Sequence, residues 1–300
     1  MPARITRARL FPQYIPYNRC MTAIDFIKMN GLGNDFVIVD NRNGALNLSG
    51  DAVRSISDRH TGVGCDQFII MEKAIDATAD VFMRIYNPDG NQAEACGNAT
   101  RCVASLIMAE AAHSHAIIET ISGLLDCENV GHGLYSIDMG PARLDWRDIP
   151  LESAMDTNHI DINAGPLSDG AGVNIGNPHV AFMVDDVDTI DLVNFGPIIE
   201  NHPLFPDHTN VEIIQVLGPN RIRMRVWERG AGITQACGSG ACAALVTTAR
   251  RKLTSRKADV ILDGGTLTIE WMADNNVLMT GPVATSFFGH INNPSSLGKA

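Results

Sequence analysis

The chain alternates between short apolar runs and turns rich in glycine and asparagine, which is the pattern of a strand-rich protein. In the first half, the pattern predicts strands at 24–29, 35–40, 68–71, 81–86, 116–120 and 134–138, and helices at about 51–59 and 97–112. The second of these helices is apolar nearly all round and rich in small residues, which suits a helix enclosed by a sheet.

The same order of features returns in the second half, with strands at 175–185, 211–216 and 224–228 and a helix at about 238–251. Four pairs of landmarks keep a separation of 141 to 143 residues: Asn34 with Asn177, Gln67 with Asn210, Met83 with Met224, and Cys96 with Cys237. A constant separation is the mark of a duplicated domain. We therefore expect two pseudo-symmetric domains of α+β class, with the active site in the cleft between them.

The irregular stretch at 140–155, which holds two prolines, is the predicted link between the two halves. We expect an N-terminal extension at 1–21, either disordered or ahead of a native start at Met21, because this basic segment carries no acid. The first half is then 22–140 and the second 141–290, followed by a tail at 291–300. The last strand of the second half is a candidate to pair with the first half.

Composition narrows the possible functions. The formal net charge of −11 argues against nucleic-acid binding, which needs clustered lysine and arginine. No apolar run reaches the length of a membrane span, so we expect no membrane partner. The seven cysteines are odd in number and form no Cys-x-x-Cys pair, which favours reduced thiols in a cytoplasm over disulfides or zinc.

Two of the cysteines stand in matched settings, because Cys96 and Cys237 each precede a glycine and the start of a small-residue helix. The first amides of a helix are unpaired donors at the positive end of the helix dipole, so they suit a bound carboxylate. A cysteine at such a position is expected to have its pKa drawn below about 8.5, which makes the thiolate accessible near neutral pH. One such cysteine is as well explained by packing, whereas two matched ones favour function.

Two thiols of nearly equal acidity suit the inversion of a carbon centre. One group removes a proton from one face and the other returns a proton to the opposite face. For a carbon next to a carboxylate, the carbanion needs strong donors, which two helix N-termini supply. The sequence has neither a dinucleotide-binding glycine fingerprint nor a phosphate-binding loop.

These motifs resemble those of the diaminopimelate epimerase family. The matching segments, in order along the chain, are 28–36, 64–67, 87–90, 94–101, 177–179, 228–230 and 236–238. The resemblance implies conversion of LL- to meso-diaminopimelate, an isomerase reaction of lysine and peptidoglycan precursor biosynthesis that needs neither pyridoxal phosphate nor a metal. It further implies a curved mixed sheet around a central helix in each half, a cytoplasmic location and a homodimer.

The resemblance also assigns roles to residues. Cys96 would be the proton donor and Cys237 the proton acceptor in the LL direction, with His179 and Glu228 tuning the two thiols. Arg229 would hold the distal carboxylate as a bidentate fork. The substrate would be bound by Asn34, Gln67, Asn87, Gly97, Asn98, Asn177, Asn210, Glu228, Arg229, Gly238 and Ser239.

The chain departs from the family pattern at three positions. Asn30 stands where histidine is usual, Asn91 where serine is usual, and Ala99 where glycine is commoner. None of these changes removes a catalytic group. The alternatives are a related two-cysteine racemase acting on proline or hydroxyproline, a thiol redox protein, and a non-catalytic amino-acid-binding protein.

Overall fold

A computed structural model describes residues 23–292. The predicted extension at 1–21 lies outside these residues, as does all of the predicted tail except its first two positions. The elements are β1 Ile24–Gly31, β2 Asn34–Asp40, α1 Gly50–Ser57, β3 Gln67–Glu72, β4 Val81–Tyr86, β5 Gln92–Ala93, α2 Gly97–Ala111, β6 His115–Thr120, β7 Gly123–Gly131, β8 Leu134–Pro141, β9 Ile160–Ala164, β10 Leu167–Asn174, β11 Pro178–Met183, a 3-10 turn Val187–Thr189, α3 Leu192–Glu200, β12 Asn210–Gly218, β13 Arg221–Glu228, β14 Gly232–Ile233, α4 Gly238–Arg250, β15 Lys257–Leu262, β16 Gly265–Trp271, β17 Asn276–Pro282 and β18 Ala284–Ile291.

The chain divides into two compact units. The first unit comprises the described residues up to Tyr135 together with those from Pro282 onward, and the second is Ser136–Gly281. The sequence pattern placed the division between residues 140 and 141, five positions further along. In the first unit β18 pairs antiparallel with β1, with Ile24 opposite Ile291.

The first unit is a mixed sheet around one helix. β1 pairs antiparallel with β2, β2 parallel with β3, β3 antiparallel with β4, and β4 parallel with β6. Helix α2 contacts β1, β2, β4, β6 and β7. These strands are not all neighbours in the sheet, so one helix can contact all of them only if the sheet curves around it. Four consecutive buried residues in β2 show that both faces of the sheet are covered.

The other face of this sheet is covered by α1. Val53 and Ile56 of that helix pack in one apolar cluster with Val37 and Val39 of β2 and with Phe68 of β3. The helix begins at the N-cap Ser49, whose side chain accepts a hydrogen bond from the backbone N–H of Ala52. The sheet therefore lies between α1 and α2.

The second unit repeats the plan. β10 pairs antiparallel with β11, β11 parallel with β12, β12 antiparallel with β13, and β13 parallel with β15. Helix α4 contacts β10, β11, β12, β13, β15 and β16. An apolar cluster that includes Ile160, Phe182 and Ile199 joins strands β9 and β11 to α3.

The repeat extends to the register of the ladders. Phe36 lies opposite Gln67 in the first unit, and His179 lies opposite Asn210 in the second. Tyr86 lies opposite Gln92, and Trp227 lies opposite Ile233. The paired positions of these strands thus have structural equivalents 141 to 143 residues away in the other unit, and the predicted duplication and α+β class are confirmed. Among residues 23–292, no helix is both long and apolar enough to span a membrane.

Candidate active site

Cys96 is the N-cap residue of α2. Its backbone is extended, with φ −154° and ψ 105°, and its Sγ accepts a hydrogen bond from the backbone N–H of Ala99 at 3.5 Å. The side chain is half-buried, so the sulfur lies at the end of the helix and not inside its packing. The thiol is thus held at the positive end of the α2 dipole, as the sequence predicted.

An amide network surrounds this thiol. Asn34 Oδ1 lies 3.8 Å from Cys96 Sγ and accepts a hydrogen bond from Asn98 Nδ2 at 3.2 Å. Asn34 Nδ2 donates to Asp66 Oδ2 at 3.0 Å, which fixes the orientation of the amide. Asn98 Oδ1 in turn accepts from Arg101 Nη2 at 2.8 Å. Three of the predicted residues therefore form one connected group, and Asp66 and Arg101 orient it.

A charged cluster lies next to Asn34 along the chain. Asp35 forms ion pairs with Lys28 and with Arg59, and Arg59 Nη2 also lies 2.6 Å from Asp66 Oδ1. Burial raises the pKa of Asp35, but the hydrogen bonds and charges of Arg59 and Lys28 outweigh it and lower the pKa to about 2. The carboxylate is therefore ionised throughout the neutral range and anchors the turn that carries Asn34.

Gln67 and Asn87 form a second pair in this unit. Gln67 Nε2 donates to Asn87 Oδ1 at 3.1 Å. The other amide atom, Gln67 Oε1, is buried and has no hydrogen-bond partner among the described residues. An unpaired buried acceptor is costly, so this oxygen is suited to a ligand that brings a donor.

Cys237 is the N-cap residue of α4 and repeats the geometry of Cys96. Its Sγ accepts from the backbone N–H of Gly240 at 3.3 Å and lies 3.6 Å from Ser239 Oγ. Unlike Cys96, this side chain is buried, at 5% exposure. The two matched cysteines thus share a backbone position but differ in their surroundings.

A fully buried histidine and carboxyl lie in the strands under α4. His179 Nδ1 is 2.7 Å from Glu212 Oε1, and both side chains are 0% exposed. His179 Nε2 is 2.8 Å from Asn177 Oδ1. Because an amide oxygen only accepts, Nε2 donates in this bond, and Nδ1 is the ring nitrogen that lies against the carboxyl. Glu212 Oε2 has no hydrogen-bond partner among residues 23–292.

The electrostatics of Cys237 differ from the sequence-based expectation. Burial, followed by the carboxyls of Glu228 and Glu212, raises the pKa of Cys237 well above its usual value, although the bonds from Ser239 and Gly240 oppose this. The expectation that the helix terminus lowers the pKa of both thiols is therefore wrong for Cys237. Burial likewise raises the pKa of Glu212, against the lowering effect of His179.

The turn that follows β13 carries two further predicted residues. The backbone N–H of Arg229 donates to Asn210 Oδ1 at 2.9 Å, and Arg229 Nη1 donates to the carbonyl of Asp207 at 3.0 Å. Glu228 Oε1 accepts a hydrogen bond from Thr234 Oγ1. The guanidinium of Arg229 is exposed, so it remains accessible to a substrate carboxylate.

One carboxylate that the sequence did not indicate braces this turn. Glu200, the last residue of α3, accepts from Trp227 Nε1 at 2.7 Å and from the backbone N–H of Gly230 at 2.8 Å. Glu212 was also missed. The missed residues carry no motif signal of their own, whereas Asp66 and Arg101 stand inside the matched segments.

The three departures from the family pattern leave this geometry in place. Ala99 still donates its backbone N–H to Cys96 Sγ. Asn91 bonds Asp89 with both its backbone N–H, at 2.9 Å, and its side-chain Nδ2, at 2.8 Å, and so closes the turn after β4. Asn30 Nδ2 lies 3.4 Å from Ser286 Oγ, within the first unit.

Solved structures share this duplicated fold. A hydroxyproline epimerase from Agrobacterium vitis superposes with a TM-score of 0.66 at 15% identity, over 93% of this chain and 95% of that one. A phenazine biosynthesis protein of the PhzF family from Enterococcus faecalis gives a TM-score of 0.66 at 14% identity, over 90% of this chain and 99% of that one. The class is thus a duplicated α+β fold shared with amino-acid epimerases.

Sequence relatives narrow the class to a family. The diaminopimelate epimerase family model matches residues 26–144 and 172–286. A diaminopimelate epimerase of Rhodospirillum centenum is 56% identical over 267 residues, which cover 89% of this chain and 92% of that protein. The diaminopimelate epimerase of Acidiphilium cryptum is 49% identical over 267 residues, covering 89% and 96%. The chain belongs to the diaminopimelate epimerase family.

Proposed function

We propose that this protein is an isomerase that converts LL-2,6-diaminopimelate into meso-diaminopimelate, for lysine and peptidoglycan precursor synthesis, without a cofactor. The observation that carries the proposal is the pair of N-capping cysteines at equivalent positions of a duplicated fold, in a chain of this family. Each thiol belongs to a different unit, and each is held at the positive end of its own helix.

The reaction exchanges one proton for another at a single carbon. The thiolate of one cysteine takes the proton from the alpha carbon, and the electron pair left behind is delocalised into the adjacent carboxylate. The thiol of the other cysteine then gives its proton to the opposite face of that carbon. In the LL direction Cys237 accepts the proton and Cys96 donates one, and in the reverse direction these roles exchange.

The surrounding groups serve binding and charge stabilisation. The first backbone amides of α2 and α4, at Gly97–Asn98 and Gly238–Ser239, donate to the carboxylate at the reacting centre. Gln67 Oε1, which lacks a partner among residues 23–292, suits a substrate ammonium. The exposed guanidinium of Arg229 suits the distal carboxylate, and Glu228 with the remaining predicted amides completes the set: Asn34, Asn87, Asn177 and Asn210.

An isotope assay tests the proposal. LL-diaminopimelate is incubated with the protein and a reductant in heavy water, and the products are separated by stereochemistry and mass. We expect meso-diaminopimelate that carries one deuterium at an alpha carbon. L-proline and trans-4-hydroxy-L-proline serve as control substrates and are expected to remain unchanged. Absence of both meso product and exchange, or turnover of a proline substrate instead, would reject the proposal.

We extend the proposal to the working form of the protein, a cytoplasmic homodimer. The supporting observation is membership of the family. Light scattering coupled to gel filtration is expected to give twice the 32.4 kDa mass of one chain. A monomer mass at micromolar concentration would contradict the dimer without touching the isomerase proposal.

A further inference from the structure

The buried pair His179–Glu212 exists in only one of the two units. In the first unit the equivalent positions hold Phe36 and Ile69, which are both fully buried. The backbone register is the same in the two units, so the fold itself accepts apolar side chains at these two places. The polar pair is therefore not required to build the sheet.

Keeping such a pair is costly for stability. A carboxyl and an imidazole at 0% exposure lose their contacts with water, and each is tolerated only because the other is hydrogen-bonded to it. Glu212 Oε2 recovers no hydrogen bond among the described residues. A costly group at a position that also accepts isoleucine points to a task other than folding.

The carboxyl faces the same small space as the thiol of Cys237. A methyl group placed on Gly240 would lie 3.0 Å from Glu212 Oε1 and 3.2 Å from Cys237 Sγ. The carboxyl and the thiol therefore both border the space that a side chain at Gly240 would occupy. In the first unit the equivalent of Gly240 is Ala99, and the equivalent of Glu212 is Ile69.

We infer that Glu212 is a positioning residue for Cys237: its buried carboxyl, oriented by His179, favours the thiol form in which Cys237 rests between turnovers. This inference rests on the proposed function. Burial disfavours the thiolate of Cys237, and an ionised carboxyl beside the sulfur adds to this effect, so Cys237 rests as a thiol. In the assignment above, that is the form that accepts the meso isomer, and the LL isomer requires the proton of Cys237 to leave first.

Each group in this arrangement faces a small set of other ionisable groups. Burial, followed by the carboxyls of Glu228 and Glu212, raises the pKa of Cys237. Glu212 faces His179 and Glu228. Replacing Glu212 with glutamine removes one of the two carboxyls that face the thiol and keeps the shape of the side chain.

The direct test measures the ionisation of Cys237 without any substrate. The protein is alkylated with iodoacetamide over a range of pH, and the rate at Cys237 is followed by mass spectrometry of its peptide. In the unsubstituted protein we expect a midpoint above the ordinary thiol value of about 8.5. In Glu212→Gln we expect the midpoint to fall by about one pH unit, whereas in Glu212→Asp it stays high. Glu270→Gln, which removes a carboxyl from an exposed ion pair in the same unit, serves as the control and leaves it unchanged.

The kinetic test uses both directions of the reaction. Conversion of the LL isomer requires the Cys237 thiolate, so its rate rises with pH, and conversion of the meso isomer requires the Cys237 thiol, so its rate falls with pH. In Glu212→Gln we expect the rising limb of the first pH–rate profile and the falling limb of the second to move to lower pH. A variant that is merely less stable would lose activity at every pH and leave the limbs in place.

The outcomes separate this inference from the proposed function. An unshifted alkylation midpoint in a folded, active Glu212→Gln protein would overturn the inference and leave the function intact. If the unsubstituted protein has no epimerase activity and the midpoint still shifts in Glu212→Gln, the proposed function is rejected, whereas the effect of Glu212 on the ionisation of Cys237 stands. If Glu212→Gln does not fold, a midpoint for Cys237 at or below about 8.5 in the unsubstituted protein would still overturn the inference.

Discussion

Asn210 Oδ1 accepts a hydrogen bond from the backbone N–H of Arg229 at 2.9 Å, while its Nδ2 donates to the carbonyl of Pro178 at 2.8 Å. The side chain is 3% exposed, so one buried amide ties the start of β11 to the turn after β13. Asn177, just before β11, and Arg229, in the turn after β13, are both proposed substrate-binding residues. We therefore expect Asn210 to affect substrate binding by holding the turn that carries Arg229.

Replacing Asn210 with alanine is expected to weaken substrate binding more than it slows turnover. Loss of a buried hydrogen bond that positions a turn costs about 1–2 kcal/mol, which corresponds to a rise in KM of about tenfold. Steady-state kinetics with LL-diaminopimelate measure KM and kcat separately. Asn276→Ala, which removes a hydrogen bond to Asp138 elsewhere in the same unit, is the matched control. Equal KM values in both variants would contradict the assignment.

The two N-capping cysteines are each expected to be indispensable. Cys96→Ala and Cys237→Ala should each abolish epimerisation, because one remaining thiol cannot serve both faces of the carbon. Cys102→Ala and Cys242→Ala are the controls, since these fully buried thiols lie within α2 and α4 and are expected to keep activity. Epimerisation of each variant is measured in heavy water by the incorporation of deuterium into the product, which mass spectrometry detects. Near-full turnover by either N-cap variant would rule out the two-base mechanism.

Gly240 is expected to tolerate no side chain. In Gly240→Ala the new methyl group would crowd both Glu212 Oε1 and Cys237 Sγ, so the sulfur must shift. A displacement of a reacting group by a fraction of an ångström lowers the rate, and we expect a loss of about tenfold or more in kcat. Gly218→Ala is the control, because no atom lies within 4 Å of its methyl position. A folded Gly240→Ala protein with unchanged kcat would show that the space is not tight.

The cluster of Asp35 with Lys28 and Arg59 is expected to make stability depend on acid pH. The pKa of Asp35 is lowered from 3.8 to about 2, so its contribution is complete above pH 3.8 and is lost as the pH falls toward 2. The shift corresponds to about 2 kcal/mol. Urea unfolding of Asp35→Asn should show a deficit of that size at pH 7, which narrows below pH 4. Asp51→Asn, at an exposed ion pair, should change stability little; a deficit for Asp35→Asn that persists unchanged at low pH would contradict the linkage.

The elements that the sequence pattern predicted best are those with local signals. Helix α2 was expected at 97–112 and is Gly97–Ala111, and β4 was expected at 81–86 and is Val81–Tyr86. Helix α3 was missed because it contains Gly196 and Pro197, which break a helix pattern. Tertiary packing favours glycine there, since a methyl group on Gly196 would lie 2.5 Å from the ring of Trp227.

The site residues, like the helices and strands, were predicted from the sequence where their signal is local and were missed where their environment depends on tertiary packing. Cys96 and Cys237 were found because the signal, a cysteine before a glycine and a helix, is local and occurs twice. Glu212 was missed because a single acidic residue in the apolar run of β12 suggests a solvent-facing position. Its burial against His179 follows from the parallel pairing of β11 with β12, which brings together residues 33 positions apart. The raised pKa of Cys237 was also missed, because it depends on burial and on nearby carboxyls that only the tertiary structure brings together.

Because the strands of the two units pair in the same register, each of these strand positions in one unit can be compared directly with an equivalent position in the other. Since both backbones pair in the same way, a side chain found at one position has already been accommodated by the equivalent backbone elsewhere in the molecule. Glu212→Ile thus places at one position a side chain that its equivalent, Ile69, already is, whereas Ile69→Glu would bury a carboxyl in a unit where Phe36 stands in place of His179. A comparison of the equivalent positions in the two units therefore identifies the places where one unit carries a polar side chain that the shared backbone does not require, as at His179 and Glu212.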